Sequence, residues 1–318
     1  MNEGIMQTKF FFHKMSDGTE IAVNRWMPDE ETEIKGIIQL HHGLAEHSLR
    51  YDRLGCVLAE NGFVFQAHDI RGHGRTAEKA KNDGNGMFGK IADKDGWKRC
   101  VEDLNELILK LKEDYPEKKT IFLGHSFGSL IGQAFIEQYG SNIDLCILCG
   151  TSGPNPVALP GKIVAEIICL LSGKNKTGKF LDKLAFGSYN NKIENPVSKN
   201  AWLSSNPDNV SLYESDSWCG IPLTNSFFAD LTGLLANIHK KNRIRNIPDS
   251  LPILFIYGEG DPVGNYGKSI EKLIQIYIKK GIQDITCISY ENDRHEIFNE
   301  LDHDKVEADV LEWIGKKL

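Results

Sequence analysis

The chain has 318 residues, 41% of them hydrophobic and 25% charged, an ordinary globular composition with length enough to bury a large core. Its net charge of −7 argues against nucleic acid as a partner, because phosphate binding needs a basic face. No apolar run approaches a membrane-spanning helix, and residues 1–14 lack the long apolar stretch of a secretory leader.

Apolar runs of strand length alternate with segments of helical period. Lys9–His13 and Ile21–Trp26 flank Ser16-Asp17-Gly18 and predict a hairpin. Gly36–His41 predicts a buried strand, Tyr51–Asn61 a helix and Phe63–Ala67 the next strand. From Trp97 to Tyr115, Val101, Leu104, Leu107, Ile108 and Leu111 fall on one helical face. The strand Thr120–Leu123, the helix Phe127–Tyr139 and the strand Leu145–Cys149 follow. Residues 151–246 then break the rhythm with Gly, Pro, Asn and Ser clusters and one strongly apolar helical segment, Ile163–Leu171. This stretch reads as an inserted, mainly helical cap between two core parts, 1–150 and 247–318. Its apolar helix is either a lid in transient contact with a membrane surface or a helix packed on the core. The rhythm resumes with the strand Ile253–Tyr257, the helix Lys268–Ile278, the strand Ile285–Tyr290 and the helix Asp304–Ile314. Such alternation implies an α/β fold with a mostly parallel central sheet, helices on both faces, and ligands outside the carboxyl ends of the strands.

Seven cysteines, an odd number, are scattered except for Cys146 and Cys149. Positions three apart on a strand point to opposite faces, so these two thiols diverge instead of forming a redox or zinc pair. Buried thiols in a reduced, cytoplasmic protein are the expectation.

Chemistry concentrates at Gly124-His125-Ser126-Phe127-Gly128, directly after an apolar strand. In that context G-x-S-x-G is a nucleophile elbow, a sharp strand-to-helix turn that lifts the serine hydroxyl clear of the main chain. A serine nucleophile needs a base, a group to orient the base, and donors for the oxyanion. Asp261, on the glycine-flanked turn after Ile253–Tyr257, is the expected acid, with Glu259 its local competitor. No Asp or Glu occurs between Cys149 and Glu166, which removes the other common place for the acid. His295, after the last strand, is the expected base. His239 and His303 sit in polar helical surroundings and read as surface residues. The oxyanion donors are expected from the Phe127 N–H and from the Leu44 N–H, where Gly43 lets the chain turn in close. His41, His42 and His47 could instead form a zinc cluster, although no H-E-x-x-H spacing accompanies them. The serine chemistry itself calls for no cofactor and no metal.

Four segments together resemble the monoacylglycerol lipases and bacterial lysophospholipase-like hydrolases of the α/β-hydrolase family. They are His42-Gly43-Leu44-Ala45-Glu46-His47-Ser48-Leu49-Arg50-Tyr51, Asp69-Ile70-Arg71-Gly72-His73-Gly74, the elbow, and Arg294-His295-Glu296. The likeness covers about 20–150 and 250–318, and the cap only loosely. It implies a Ser126–His295–Asp261 triad with Leu44 and Phe127 as oxyanion donors, acting on a small-molecule acyl ester. It also implies that Glu46 and Arg50 lie near the pocket and organise the polar end of the substrate; a buried ion pair bracing the loop is the other reading. Asp69 and His73 are expected to brace the core. The elbow departs from the family in carrying Phe127 and Ser129, and Thr76 replaces a frequent serine. Phe298 stands where animal monoacylglycerol lipases have a second histidine, so the resemblance points to ester hydrolysis more firmly than to glycerol recognition. A peptidase, a thioesterase or a non-catalytic binding relative are the alternatives, and acidic cap residues such as Glu166, Glu194 or Glu214 facing the pocket would favour a peptidase.

Overall fold

The computed structural model describes residues 6–318; residues 1–5, on which the leader reading partly rests, lie outside the described residues. β1 (Gln7–Lys14) and β2 (Glu20–Met27) pair antiparallel around a turn in which Gly18 takes a φ of 86°. Next come β3 (Gly36–His41), α1 (Asp52–Glu60), β4 (Phe63–His68), α2 (Gly74–Asn82), α3 (Gly96–Asp114), β5 (Lys119–His125), α4 (Phe127–Tyr139) and β6 (Leu145–Cys149). The chain then leaves the sheet for α5 (Ala158–Ser172), α6 (Lys179–Phe186), α7 (Pro207–Ser215), α8 (Asn225–Leu235) and the short α9 (Lys241–Ile244). It returns as β7 (Ile253–Gly258), α10 (Lys268–Lys280), β8 (Ile285–Tyr290) and α11 (His303–Gly315).

The eight strands lie in the order β1-β2-β4-β3-β5-β6-β7-β8. The pairs β1–β2 and β2–β4 are antiparallel and all others are parallel. β3, β4, β6 and β7 are buried along their whole length, which is why their sequences read as continuous apolar runs. Alternate residues feed two cores. Phe122, Cys146, Leu148 and Phe255 meet α3, α4 and α10 on one face; Ile121, Leu123, Ile147 and Cys149 meet α1 and α11 on the other. Cys146 and Cys149 therefore point to opposite faces, and both thiols are free.

Two features were hidden from periodicity. α2 has a polar sequence with no apolar stripe; its start is held because Asp69 Oδ2 accepts from the Arg75 N–H at 2.8 Å and the Thr76 hydroxyl donates to the Asp69 carbonyl at 2.6 Å. α5 begins five residues before the expected apolar segment, because Pro160 falls in its first turn, where proline costs no hydrogen bond. α5 packs on α8, and α8 packs on α3 and α4. Even so, α5 leaves Ile163, Ile167, Leu170 and Leu171 exposed. Among the described residues no helix is long and apolar enough to cross a membrane.

Candidate active site

β5 delivers Ser126 to the carboxyl edge of the sheet in a left-handed conformation, φ 55° and ψ −119°. A non-glycine residue there stores about 1–3 kcal/mol of strain, which the surrounding packing must sustain. The Ser126 N–H donates to the Cys149 carbonyl at 2.9 Å, tying the turn to β6. The flanking glycines are required by close approach: a Cβ at 124 would stand 2.6 Å from the Gly128 carbonyl oxygen, and one at 128 would overlap the His41 carbonyl.

The loops after β7 and β8 bring Asp261 and His295 to the same edge. His295 Nδ1 lies 2.8 Å from Asp261 Oδ2, and the other carboxylate oxygen accepts from the Val263 N–H at 2.8 Å. Asp261 is fully buried. His295 Nε2 is buried without a hydrogen-bond partner, so its lone pair is free to take a proton. It makes no bond to Ser126 Oγ here; such bonds are often long until substrate tightens them. Glu259, by contrast, accepts from the exposed Ser289 hydroxyl and stays outside the cluster.

The loop after β3 is held through both backbone polar groups of Gly43. The Gly43 N–H donates to Glu46 Oε1 at 2.5 Å, and the Gly43 carbonyl accepts from His42 Nδ1 at 2.7 Å. His42 Nε2 accepts from the Ile70 N–H at 3.1 Å, which places the ring proton on Nδ1. The Leu44 N–H has no acceptor among the described residues. Phe127, as the first residue of α4, has no intrahelical acceptor for its own N–H. Both N–H groups are thus left without an acceptor beside Ser126.

Ser126, Leu44 and Phe127 open onto a cavity of about 440 Å³ walled by α5, α6, α8 and the segment around Trp202. Leu130, Leu181, Leu184 and Phe228 contribute to a lining that contains no Asp, Glu, Lys or Arg. Glu166 faces a different groove, Glu194 is exposed, and Glu214 accepts from Asn200.

Glu46 and Arg50 are not among the residues lining that cavity. Arg50 reaches Glu296 at 2.6 and 2.7 Å, Glu46 at 3.0 Å and Asn209 at 3.0 Å. Glu46 also accepts from the Tyr51 hydroxyl at 2.9 Å and lies 3.2 Å from His125 Nδ1. Burial opposes the charge on Glu46, but His125 and Arg50 outweigh it and hold its carboxyl well below the usual range. Burial opposes Glu296 likewise, and Arg50 overcomes it. The arrangement is a buried ion-pair network that links the loop after β3 to the loop after β8. Glu296 completes it, and its position beside His295 is the sequence signal that marks it.

Other positions differ from expectation. His239 is half-buried and paired rather than solvated: the segment after α8 folds back on α4, His239 Nε2 pairs with Gln133 Oε1 at 2.9 Å, and burial pushes its pKa down to about 4. His41, His42 and His47 do not converge on a common point. His41 and His42 are fully buried with pKa values lowered by burial, and His47 Nε2 pairs with Asp216 at 2.8 Å. Among the described residues, groups of three potential ligands occur only at His47–Asp216–Cys219, beside the Arg50 guanidinium, and at His303–Asp304–Glu307. Phe298 is buried against the α1 and α11 core and does not line the cavity. Asp69 accepts from Ser48 and Arg75 and does brace the core.

A family model described as serine aminopeptidase, S33 (Hydrolase_4) matches residues 32–302. A monoacylglycerol lipase of Mycolicibacterium smegmatis is 28% identical over 95% of both chains. A monoglyceride lipase of Rattus norvegicus is 25% identical over 95% of this chain and 89% of its own. Among solved structures, a thermostable carboxyl esterase from Bacillus coagulans in complex with glycerol superposes with a TM-score of 0.87 at 30% identity, covering 98% of this chain and 99% of that one. The chain has the α/β-hydrolase fold and belongs to the Hydrolase_4 family of serine hydrolases, as a homologue of the monoacylglycerol lipases.

Proposed function

We propose that this chain is a serine carboxylic-ester hydrolase acting on single-chain acyl esters, such as monoacylglycerols or lysophospholipids, through an acyl-enzyme. Ser126 is the nucleophile, His295 the general base and then acid, and Asp261 the group that fixes the imidazole tautomer. As Ser126 Oγ bonds to the acyl carbon, its proton passes to His295 Nε2 and the carbonyl electrons move onto oxygen. The Leu44 and Phe127 N–H groups stabilise that oxyanion. The proton then goes to the departing alcohol as its C–O bond breaks, and water, deprotonated by His295, releases the acid.

The observation that carries this reading is an apolar, uncharged cavity opening at Ser126, next to the paired Asp261 and His295. An acyl chain buries well in such a cavity, whereas a free amino terminus would find no carboxylate there, which disfavours the peptidase alternative. Leu159, Ile163, Ile167, Leu170, Leu171 and Phe180 are exposed on α5 and α6, two of the helices that wall the cavity, with Lys162, Lys174, Lys179 and Lys183 along the same stretch. This supports transient contact of the cap, 151–246, with a membrane surface. All seven thiols are free, which fits a reducing compartment such as the cytoplasm. The test is turnover on monoacylglycerols, lysophospholipids and aminoacyl amides, together with fluorophosphonate labelling. The expected result is ester hydrolysis and labelling that both vanish in Ser126→Ala; labelling unchanged in that variant overturns the assignment.

A further inference from the structure

His295 is gripped from the inserted segment as well as from the core. Its neighbour Glu296 donates its N–H to the Leu203 carbonyl at 2.8 Å. Its other neighbour, Arg294, donates through Nη1 to the Ala201 and Ser204 carbonyls at 2.6 and 3.0 Å. Glu300, fully buried, gathers this segment further. Its carboxylate accepts from the Ser204 and Ser205 hydroxyls at 2.8 and 2.7 Å and from the N–H groups of Ser205, Asn206 and Arg294. Residues 201–206 thus form a strap fastened to the loop 294–300 by seven of these hydrogen bonds, and Trp202 lies within it. The Trp202 ring lies 5.0 Å from the His295 ring at 41°, and Tyr189 packs on its other side at 4.9 Å. Trp202 also lines the cavity.

We propose that Trp202 is a positioning residue for His295, and that Glu300 holds the strap that places it. The inference rests on the triad reading above. When Ser126 attacks, the proton leaving Oγ turns His295 into an imidazolium. A cation within about 6 Å of an indole, sheltered from water, is stabilised by the ring quadrupole. The neutral imidazole gains far less, so the benefit falls on the step in which charge develops and acts on kcat. The indole also keeps water off the ring while the proton is in transit.

Trp202→Leu keeps an apolar wall and removes the π face; Trp202→Phe keeps the face. Turnover of a p-nitrophenyl ester and of a monoacylglycerol should show kcat about five- to thirty-fold lower in the leucine variant, with KM little changed. The phenylalanine variant should stay within about threefold of the parent, and both should melt at similar temperatures. Glu300→Gln should lower kcat as well, and add little to the loss when combined with Trp202→Leu. Equal kcat in the leucine and phenylalanine variants overturns the proposal, as does a loss confined to KM, which would make the indole only a wall. Full additivity of Glu300→Gln and Trp202→Leu overturns the role given to the strap. Failure of the triad reading itself would be seen separately, as turnover or fluorophosphonate labelling that survives in Ser126→Ala.

Discussion

Arg50 separates a bracing role from a substrate-binding role, and Arg50→Met tests which one the buried network serves. The guanidinium is 9% exposed and makes hydrogen bonds to Glu46, Glu296 and Asn209, with both carboxylates only 3% exposed. Removing it leaves two like charges buried near each other, and breaking a buried pair in this way costs about 3–5 kcal/mol. For a chain of this size that corresponds to a fall in Tm of roughly 4–8 °C. The loss should fall mainly on Glu296, since His125 still supports Glu46. Its pH dependence follows from the sign of the shifts. Both carboxyls have folded pKa values below the ordinary value of 4.5, so their stabilising effect is present above that value and is lost as pH falls through the folded value. The gap in Tm between parent and variant should therefore be widest near pH 7 and should close below about pH 4.5. Melting curves from pH 3.5 to 8, with KM for a monoacylglycerol and for a p-nitrophenyl ester, make the measurement. A variant that melts within 2 °C of the parent, by an order-of-magnitude allowance of under 1 kcal/mol, while its KM rises only for the glycerol ester, would refute the bracing account.

Gly128→Ala places a methyl group where the His41 carbonyl stands, so the elbow and the oxyanion loop must move apart; kcat should fall on the order of 100-fold, and a variant turning over at the parent rate would contradict the packing described. His125 is opposed in its charge by burial, yet Glu46 and Glu296 raise its pKa above the ordinary value of 6.5. Its stabilising effect is thus complete below that value and lost as pH rises through the folded one, so melting between pH 6 and 9 should decline more in the parent than in His125→Asn. Leu170 and Leu171 are 84% and 78% exposed, and replacing both with serine should weaken sedimentation with phosphatidylglycerol vesicles while leaving hydrolysis of a water-soluble ester unchanged. Vesicle binding equal to that of the parent would remove those residues from any membrane contact.

The sheet and its flanking helices were legible because they carry period and burial in their own sequence. The expected strands Gly36–His41, Leu145–Cys149 and Ile285–Tyr290 and the helix Phe127–Tyr139 coincide with β3, β6, β8 and α4. Ser126, Asp261 and His295 could be found because each follows a strand whose carboxyl end was already recognisable, and parallel pairing of those strands brings them to one edge. What stayed hidden depends on contacts between distant segments. α2 is set by hydrogen bonds from Asp69 rather than by an apolar stripe. His239 looked solvated because its helical surroundings are polar, and only the return of the chain onto α4 buries it. Arg50 and Glu296 are 246 residues apart, and no local pattern announces that they pair. Trp202 lies in a segment with no periodicity at all, yet it touches His295.

The same contacts bear on how far the inserted segment can be treated as a separable module. It reaches the His295 loop through Leu203 and through Ser204, which donates to Glu300, and it reaches the loop after β3 as well: the Ala45 carbonyl, one residue from Leu44, accepts from the Gly220 N–H at 2.8 Å and from the Tyr213 hydroxyl at 3.0 Å. Ala45 sits at a φ of 53°, a conformation that a non-glycine residue holds only when its surroundings enforce it. Two hydrogen bonds from the insertion supply part of that enforcement. An insertion that only shaped the acyl pocket could be exchanged for another at the expense of specificity alone. This one also holds the loops that bear His295 and Leu44, the proposed base and oxyanion donor, so a graft that swaps it should lower kcat on every ester, including those too short to fill the cavity. Under the proposed function, ester chemistry and acyl selectivity are thus mechanically coupled through Ala45, Leu203 and Glu300.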